Sequence, residues 1–199
     1  MSILGLSITD TKPVLVGAGF WIRALARVID YAWGYVVGLL VGINAGISLV
    51  ILEALSIAEP GWADRVGQSN LLTFILSLFG YIAYHTFCEG LHGASLGKLI
   101  CGLRVRAENL APCRMNPALQ RSIAFYLDGL VFGAVGYMEM QKTLMEQRHG
   151  DRWARTVVVK TSQIPEEARR PNLQFPYAFA LGSAAWGLPQ FVAIVWIAI

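Results

Sequence analysis

The chain alternates long stretches that lack any charged side chain with short stretches crowded by them. No Asp, Glu, Lys or Arg falls between Asp30 and Glu53, between Arg65 and Glu89, or after Arg170. Each of these runs reaches the ~20 residues that a helix needs to cross a bilayer. The pattern predicts a first helix from near Phe20 to about Leu55 and a second over roughly Asn70 to Glu89. A last helix runs from about Phe175 to Ile199, with Pro189 as a kink. Another apolar segment, Pro117 to Met140, is interrupted by Asp128 and then by Gly129, Gly133 and Gly136. It either crosses as a fourth helix or enters, breaks at its glycines and returns.

The basic residues favour the return. The loop between the first two helices carries Arg65 beside Glu53, Glu59 and Asp64. The stretch Gly90 to Asn116 holds Lys98, Arg104, Arg106 and Arg114, and the stretch after Met140 is richer still, from Lys142 to Arg170. Basic loops stay on the cytoplasmic side. Four straight crossings would put the most basic loop outside, whereas a re-entrant third segment keeps both basic loops inside. Two strand-like runs, Leu103 to Arg106 and Thr156 to Val159, flank that segment and can pair only on one side of the membrane. The expected fold class is therefore an all-α membrane protein. It has three transmembrane helices plus one re-entrant or fourth helical segment, with a small cytoplasmic β-hairpin. The N-terminus lies inside and the C-terminus outside. Residues 1–16 form an N-terminal segment, 17–160 the membrane domain, 161–174 a cytoplasmic linker and 175–199 an additional transmembrane helix. Trp21, Trp33, Trp62, Trp186 and Trp196 fall near span ends, as interfacial aromatics do.

Composition sharpens this picture. The chain is 55% hydrophobic and 15% charged, with a mean hydropathy of +0.52, against about a quarter charged in a soluble domain. That leaves no room for a separate soluble catalytic domain. Met1 to Gly19 lacks a basic start and contains Asp10 and Lys12, so it does not read as a secretory signal. The net charge of +3 sits in loops beside the spans, which gives no reason to expect nucleic acid. Cys88, Cys101 and Cys113 are an odd set without a CxxC pair, which points to a reducing side or to simple packing.

Two stretches match each other: Arg23-Ala-Leu-Ala-Arg-Val-Ile-Asp30 and Arg121-Ser-Ile-Ala-Phe-Tyr-Leu-Asp128. Seven residues are about two helical turns, so each Arg and its Asp share a face some ~10.5 Å apart. If both segments enter from the cytoplasm, Arg23 and Arg121 lie at headgroup depth, and Asp30 and Asp128 lie at a similar depth inside. Intramembrane carboxylates mark ion or proton pathways. The structural alternative neutralises Asp30 with Arg27 or Arg121. Gly34, Gly38, Gly42 and Gly46 recur at four-residue spacing, and Gly129 and Gly133 repeat it. Such seams let helices approach closely in lipid, here helix one on the third segment or on a second copy.

Other constellations carry less chemistry. His85, Cys88, Glu89 and His92 share a helix face with metal-capable types. Four successive ligands from one helix do not close a tetrahedral shell, so this face reads as interfacial and polar. Glu139 and Glu146 flank the exit of the third segment and face headgroups or basic loops. Gly93 to Gly102 lacks the GxxxxGK[ST] order of a phosphate loop. No nucleophile arrangement is present, and neither an enzyme nor a cofactor or metal is expected.

The motifs do resemble a known family. Gly19-Phe20-Trp21-Ile22-Arg23, followed by Ala26 and Ile29-Asp30, is similar to the opening of RDD-family membrane proteins, named for one Arg and two Asp. Ser95-Leu96-Gly97-Lys98 with Gly102-Leu103-Arg104-Val105 resembles the family's TxGK…GxRV stretch, with Ser95 in place of Thr and Cys101 inside it. Asp151 with Thr156-Val157-Val158-Val159, preceded by Arg148-His149, resembles its D…TVV end. The resemblance makes Arg23, Asp30 and Asp151 the name-giving residues, and it leaves the last helix outside the usual domain. It implies a multi-pass protein of the bacterial inner membrane. It also implies a link to exchange of sodium or other monovalent cations for protons.

Two functions follow as expectations. In the first, Asp30 and Asp128 share protons and cations, Arg23 and Arg121 tune them, and Asp151 acts at the cytoplasmic mouth. In the second, the chain is a non-catalytic accessory or assembly subunit that packs through its glycine seams and last helix against a larger membrane complex. Expected partners are membrane lipids, a second copy or a larger complex, and monovalent cations and protons.

Overall fold

A computed structural model describes residues 16–58, 60–68, 70–168 and 174–198. Residues 1–15, with Asp10 and Lys12, lie outside the described residues, as do Glu59, Arg169 and Arg170. Helix α1 (Phe20–Ala54) leads through α2 (Trp62–Gln68) to α3 (Asn70–Phe87), which continues as a π-helical turn over Cys88–His92. Then come α4 (Leu96–Ile100), β1 (Leu103–Ala107), α5 (Met115–Asp128), α6 (Ala134–Met140), α7 (His149–Trp153), β2 (Thr156–Lys160) and α8 (Gln174–Ala198).

Three of these helices are long and apolar enough to cross a membrane: Phe20–Ala54, Leu71–His92 and Gln174–Ala198. They coincide with the three uncharged runs. The chain is thus a membrane protein, mostly helical, with a small two-stranded sheet. The helices pack through a ring of aromatics around Trp186, which is wedged between α1 and α3. A Cβ on Gly34 or on Gly80 would overlap the Trp186 side chain, so both positions need glycine for the helices to close. Tyr81 and Tyr84 meet the same indole at 5.2 and 5.6 Å between ring centres. Trp33 Nε1 donates to Ser183 Oγ at 3.1 Å. Trp33 and Trp186 therefore hold the bundle together from inside, where an interfacial position was expected. Trp21 and Trp196 are well exposed. The chain remains helical through Pro189.

The glycine seam divides in two. Gly34 packs on Trp186 of α8, not on the third segment, while Gly38, Gly42 and Gly46 have nothing within 4 Å of where a Cβ would stand. Gly129 meets the Phe125 carbonyl of its own helix, and Gly133 meets the Phe20 ring at 3.6 Å.

The third apolar segment is a broken hairpin. Helix α5 stops at Asp128, and α6 starts after Gly133, whose φ of +87° is the left-handed conformation that glycine adopts most readily. Helix α5 begins beside the π turn, where a Cβ on Gly90 would lie 2.9 Å from Met115 Cα. Its far end reaches the middle of α3, where the Tyr126 hydroxyl donates to the Leu78 carbonyl at 3.4 Å. After α6 the chain returns to the start of α1, with Gly17 N donating to Leu144 O at 3.1 Å. Both ends of the hairpin thus lie at one end of the bundle, with α4, α7 and the sheet. That polar end carries the basic loops.

The two strands pair antiparallel from Leu103↔Lys160 to Ala107↔Thr156, with Val105 opposite Val158 at the centre. Ala18 N donates to Val158 O at 2.8 Å, and Val105 N donates to Gly93 O at 2.7 Å. The small sheet is therefore covered on both edges, and Leu103, Val105 and Val157 to Val159 are fully buried.

The short sequence repeat is part of a larger structural one. Helix α1 bears Arg23, Ala26 and Asp30, and α5 bears Arg121, Ala124 and Asp128. Helix α4 with β1 follows the first helix, and α7 with β2 follows the second. Gly97 on α4 lies against Ala26, and Gly150 on α7 lies against Ala124. Gly102 and Arg155 both turn the chain from short helix to strand, with φ of +66° and +48°. Val105 and Val158, the equivalent strand residues, pair with each other, so a pseudo-two-fold axis passes between them.

Candidate functional site

The polar end is joined by side chains that would be very costly to bury alone. Arg23 and Arg121, from the two repeated helices, converge on Asp151 in α7. Arg23 Nη1 lies 2.8 Å from Asp151 Oδ2, and Arg121 Nη1 lies 2.6 Å from Oδ1. Arg23 Nε also donates to Ala18 O at 2.6 Å. Arg148 contributes its backbone N–H to Asp151 Oδ2 at 3.2 Å and its guanidinium at 3.6 Å. Burial alone would raise the Asp151 pKa, but Arg121, Arg148 and Arg23 outweigh it and hold the carboxyl well below the usual carboxylate range.

Arg121 extends the network. Its Nε approaches Glu89 Oε2 at 3.2 Å, and its Nη1 donates to Thr156 Oγ1 at 2.8 Å. Glu89 lies on the π turn and is also met by Lys98 Nζ at 2.6 Å. Burial pulls the Lys98 pKa down further than Glu89 raises it. His85 Nδ1 stands 3.4 Å from Glu89 Oε1, and Arg27 Nη1 stands 2.8 Å from His85 Nε2. A guanidinium only donates. His85 Nε2 is therefore the acceptor, and its proton sits on Nδ1, facing Glu89.

Asp30 occupies a different position. It is fully buried at the start of α4, where four backbone N–H groups lack helical partners. Its Oδ1 accepts from Gly97 N at 2.8 Å and from the Tyr84 hydroxyl at 3.3 Å, and its Oδ2 accepts from Ser95 Oγ at 2.7 Å. The Tyr84 oxygen in turn accepts from Leu96 N at 3.2 Å. Gly97 comes so near α1 that a Cβ would overlap the Ala26 carbonyl. Asp128 does for α7 what Asp30 does for α4. It accepts from His149 N at 3.1 Å and from Gly150 N at 3.3 Å.

The five charged residues singled out in the sequence are thus brought to one end but not into one pair. Arg23 and Arg121 share Asp151, whereas Asp30 and Asp128 each hold the N-terminus of a separate short helix. Arg23 and Arg121 turn toward the sheet and bind Asp151, so among the described residues neither forms an ion pair with Asp30 or Asp128. Sequence reasoning did not give Glu89 and Lys98 their place at the hub. The available signal was the GK motif, which puts Lys98 beside the glycine that docks on α1. The π turn also alters the expected face of His85, Cys88, Glu89 and His92, since it adds a residue to the helical turn. His85 and Glu89 join the network, Cys88 Sγ points to Ala178 O at 3.7 Å, and His92 stacks edge-on against Phe175. Among the described residues no group of three or more His, Cys, Asp or Glu could hold a metal ion. Glu139 is buried and faces the basic loop, the second of the two surroundings expected for it, with Arg152, Lys142 and His149 around it.

A cavity of about 500 Å³ lies between the two repeats. Arg23, Arg27 and Lys98 line one side and Arg148 another, while Phe20, Phe125, Leu130 and Met140 supply an apolar wall. Arg27 stacks on Phe125 at 3.8 Å from the ring centre. These two residues are equivalent in the repeat, so they meet across the pseudo-axis.

A family model matches residues 17–155, more than half of the chain, and its description is the RDD family. Neither a curated protein nor a solved structure matches.

Proposed function

The chain belongs to the RDD family, and from that premise we propose that it is a transport protein of the bacterial inner membrane that exchanges a monovalent cation for protons. The observation that carries this reading is the buried line of protonatable groups from Glu89 through His85 toward Asp30. His85 stands 3.4 Å from Glu89 and 4.0 Å from Asp30. Buried ionisable groups along a span are the usual material of proton relays. Both oxygens of Asp30 are engaged by Ser95, Gly97 and Tyr84. A cation reaches Asp30 only when α4 releases it, so cation entry and movement of α4 are coupled in this reading. Under it the polar end faces the cytoplasm, and Asp151 anchors α7 at the mouth without carrying the ion.

The test is proton flux in proteoliposomes of the purified chain, driven by a sodium or potassium step. Wild-type flux is expected to be lost in Asp30→Asn and in His85→Gln, with insertion and helix content retained. Well-folded wild-type protein without flux sinks the exchanger.

One observation favours the second reading, an accessory or assembly subunit: the open glycine face of Gly38, Gly42 and Gly46. Close helix approach in lipid uses such faces. That reading predicts a stoichiometric membrane partner in mild detergent, which Gly42→Leu displaces without unfolding the chain.

A further inference from the structure

We propose that the cavity between the two repeats binds a phosphate-bearing anion, with Arg27 and Arg148 as its main ligands. This goes beyond the exchange reading, which requires nothing of the cavity. Of the cations lining the cavity, Arg23 is engaged by Asp151 at 2.8 Å and Lys98 by Glu89 at 2.6 Å. Arg27 has no carboxylate within ion-pair distance among the described residues. Its contacts are the Tyr81 hydroxyl at 3.0 Å, the His85 ring nitrogen at 2.8 Å and the face of Phe125. The guanidinium of Arg148 touches Asp151 only at 3.6 Å, through Nε. Both guanidinium carbons lie within 5.7 Å of the Phe125 ring centre, so two guanidinium groups gather at one aromatic ring of the cavity wall.

The carboxylate in the lining is Asp128, and its oxygens are occupied by the N–H groups of His149 and Gly150. A bare cation entering here meets surplus positive charge. An anion with several acceptor oxygens can instead bridge both forks, as phosphate does well. The other half of the lining is apolar, and the rim residues Tyr31, Tyr126 and Leu130 are each more than a third exposed. The cavity therefore opens beside α1 and the α5–α6 hairpin, within reach of the bilayer surface. Lipid phosphate and free phosphate share the recognising chemistry, and the apolar wall favours a lipid. Ligand sites at the seam of internal repeats are a recurrent arrangement in membrane transporters.

The test uses the full chain purified in neutral detergent. Thermal unfolding and native mass spectrometry are recorded with phosphatidylglycerol, with phosphatidylcholine and with inorganic phosphate. Phosphatidylglycerol is expected to bind and stabilise, and phosphatidylcholine is not. Stabilisation by inorganic phosphate alone, competing with the lipid, identifies the free anion as ligand and also supports the proposal. Arg27→Gln is expected to weaken binding about tenfold or more, the scale of one lost charge-assisted contact. Ala24→Phe fills the cavity without changing charge and is expected to abolish binding in a folded chain. Equal behaviour with the two lipids and no effect of phosphate would overturn the proposal. So would undiminished binding in both folded variants, which would place the anion elsewhere.

Discussion

The two repeats build the same joint from different contacts, and this makes a prediction that separates them. At Gly150 a new methyl would lie 2.8 Å from Ala124 Cβ, while its next neighbours, Arg121 O and Asp128 Oδ2, stand at an ordinary 3.4 Å. Carbon atoms pack best at about 3.5 to 4.0 Å. Gly150→Ala is thus short of room by about 1 Å against a single methyl, an overpacking that costs about 1–3 kcal/mol. Alanine's helix preference returns up to ~1 kcal/mol. Ala124→Gly alone costs about 1 kcal/mol in helix propensity. The double variant places the new methyl in the vacated space, so its loss should be smaller than the sum of the singles by ~1 kcal/mol or more. At Gly97 the obstacle is main chain, because the new methyl overlaps the Ala26 carbonyl and lies 2.7 Å from its carbon. Gly97→Ala must push α4 from α1 and strip the Gly97 and Ser95 donors from buried Asp30, a loss of about 3 kcal/mol or more. Ala26→Gly removes a side chain and leaves the carbonyl, so it should rescue nothing. Reversible unfolding of the detergent-purified variants, followed by far-UV circular dichroism, measures both cycles. Rescue of Gly97→Ala by Ala26→Gly as full as that of Gly150→Ala by Ala124→Gly, or a neutral Gly97→Ala, would refute the distinction between the two joints.

Further outcomes follow from the same geometry. Asp151→Asn leaves Arg23 and Arg121 buried without their shared anion and should cost about 3–5 kcal/mol in the same unfolding assay. The folded Asp151 pKa is depressed, so its contribution is fully present above the unfolded value of about 3.9 and is lost as pH falls toward the folded value. The unfolding midpoint should therefore be flat from about pH 7 to 5 and drop below about pH 4, with a smaller acid drop in Asp151→Asn. Trp186→Ala empties the centre of the bundle and should cost about 3–5 kcal/mol. Gly38→Ala, by contrast, faces open space and should stay within about 0.5 kcal/mol; a larger loss would mean that a partner helix covers that face. Arg155 is exposed and holds a φ of +48° where the first repeat has Gly102. Arg155→Gly should therefore stabilise the chain by up to about 1 kcal/mol, after the added freedom of the unfolded chain is deducted, while Gly102→Ala should destabilise it.

The membrane helices were legible because the bilayer imposes one requirement on twenty consecutive residues, and an uncharged run announces it directly. The hairpin strands were legible for a related reason. Thr156-Val157-Val158-Val159 is β-branched throughout, and charge placement left one side of the membrane for the pair. The site was only partly legible. Spacing puts Arg23 and Asp30 on one face of α1, but it does not show that the Arg side chain turns back to Ala18 and the sheet while the Asp receives α4. That choice depends on where two five-residue helices dock, and helices so short carry almost no periodic signal. The glycine seam was half legible for the converse reason. Four-residue spacing marks a face of small residues, and only the position of Trp186 decides that Gly34 is covered and that Gly38, Gly42 and Gly46 are not.

The duplication explains why the site is asymmetric. Both halves keep the residues that the joint requires: an Arg two turns before an Asp, an Ala one turn before that Asp, and a glycine on the docking helix. They differ where the halves face each other. Arg27 meets Phe125, its own equivalent, and two arginines at that spot would repel at short range without a carboxylate to separate them. The equivalents Lys98 and Asp151 carry opposite charge, and through Glu89 and Arg121 they belong to one continuous chain of ion pairs. Identical halves would place like charges opposite one another around the axis, and burying them would be prohibitive. Divergence at the axis positions is thus what allows two copies of one joint to close in a single chain. The surplus cations it leaves at the seam face the cavity: Arg27 has no carboxylate within ion-pair distance among the described residues, and Arg148 only shares Asp151 with Arg23 and Arg121, at 3.6 Å.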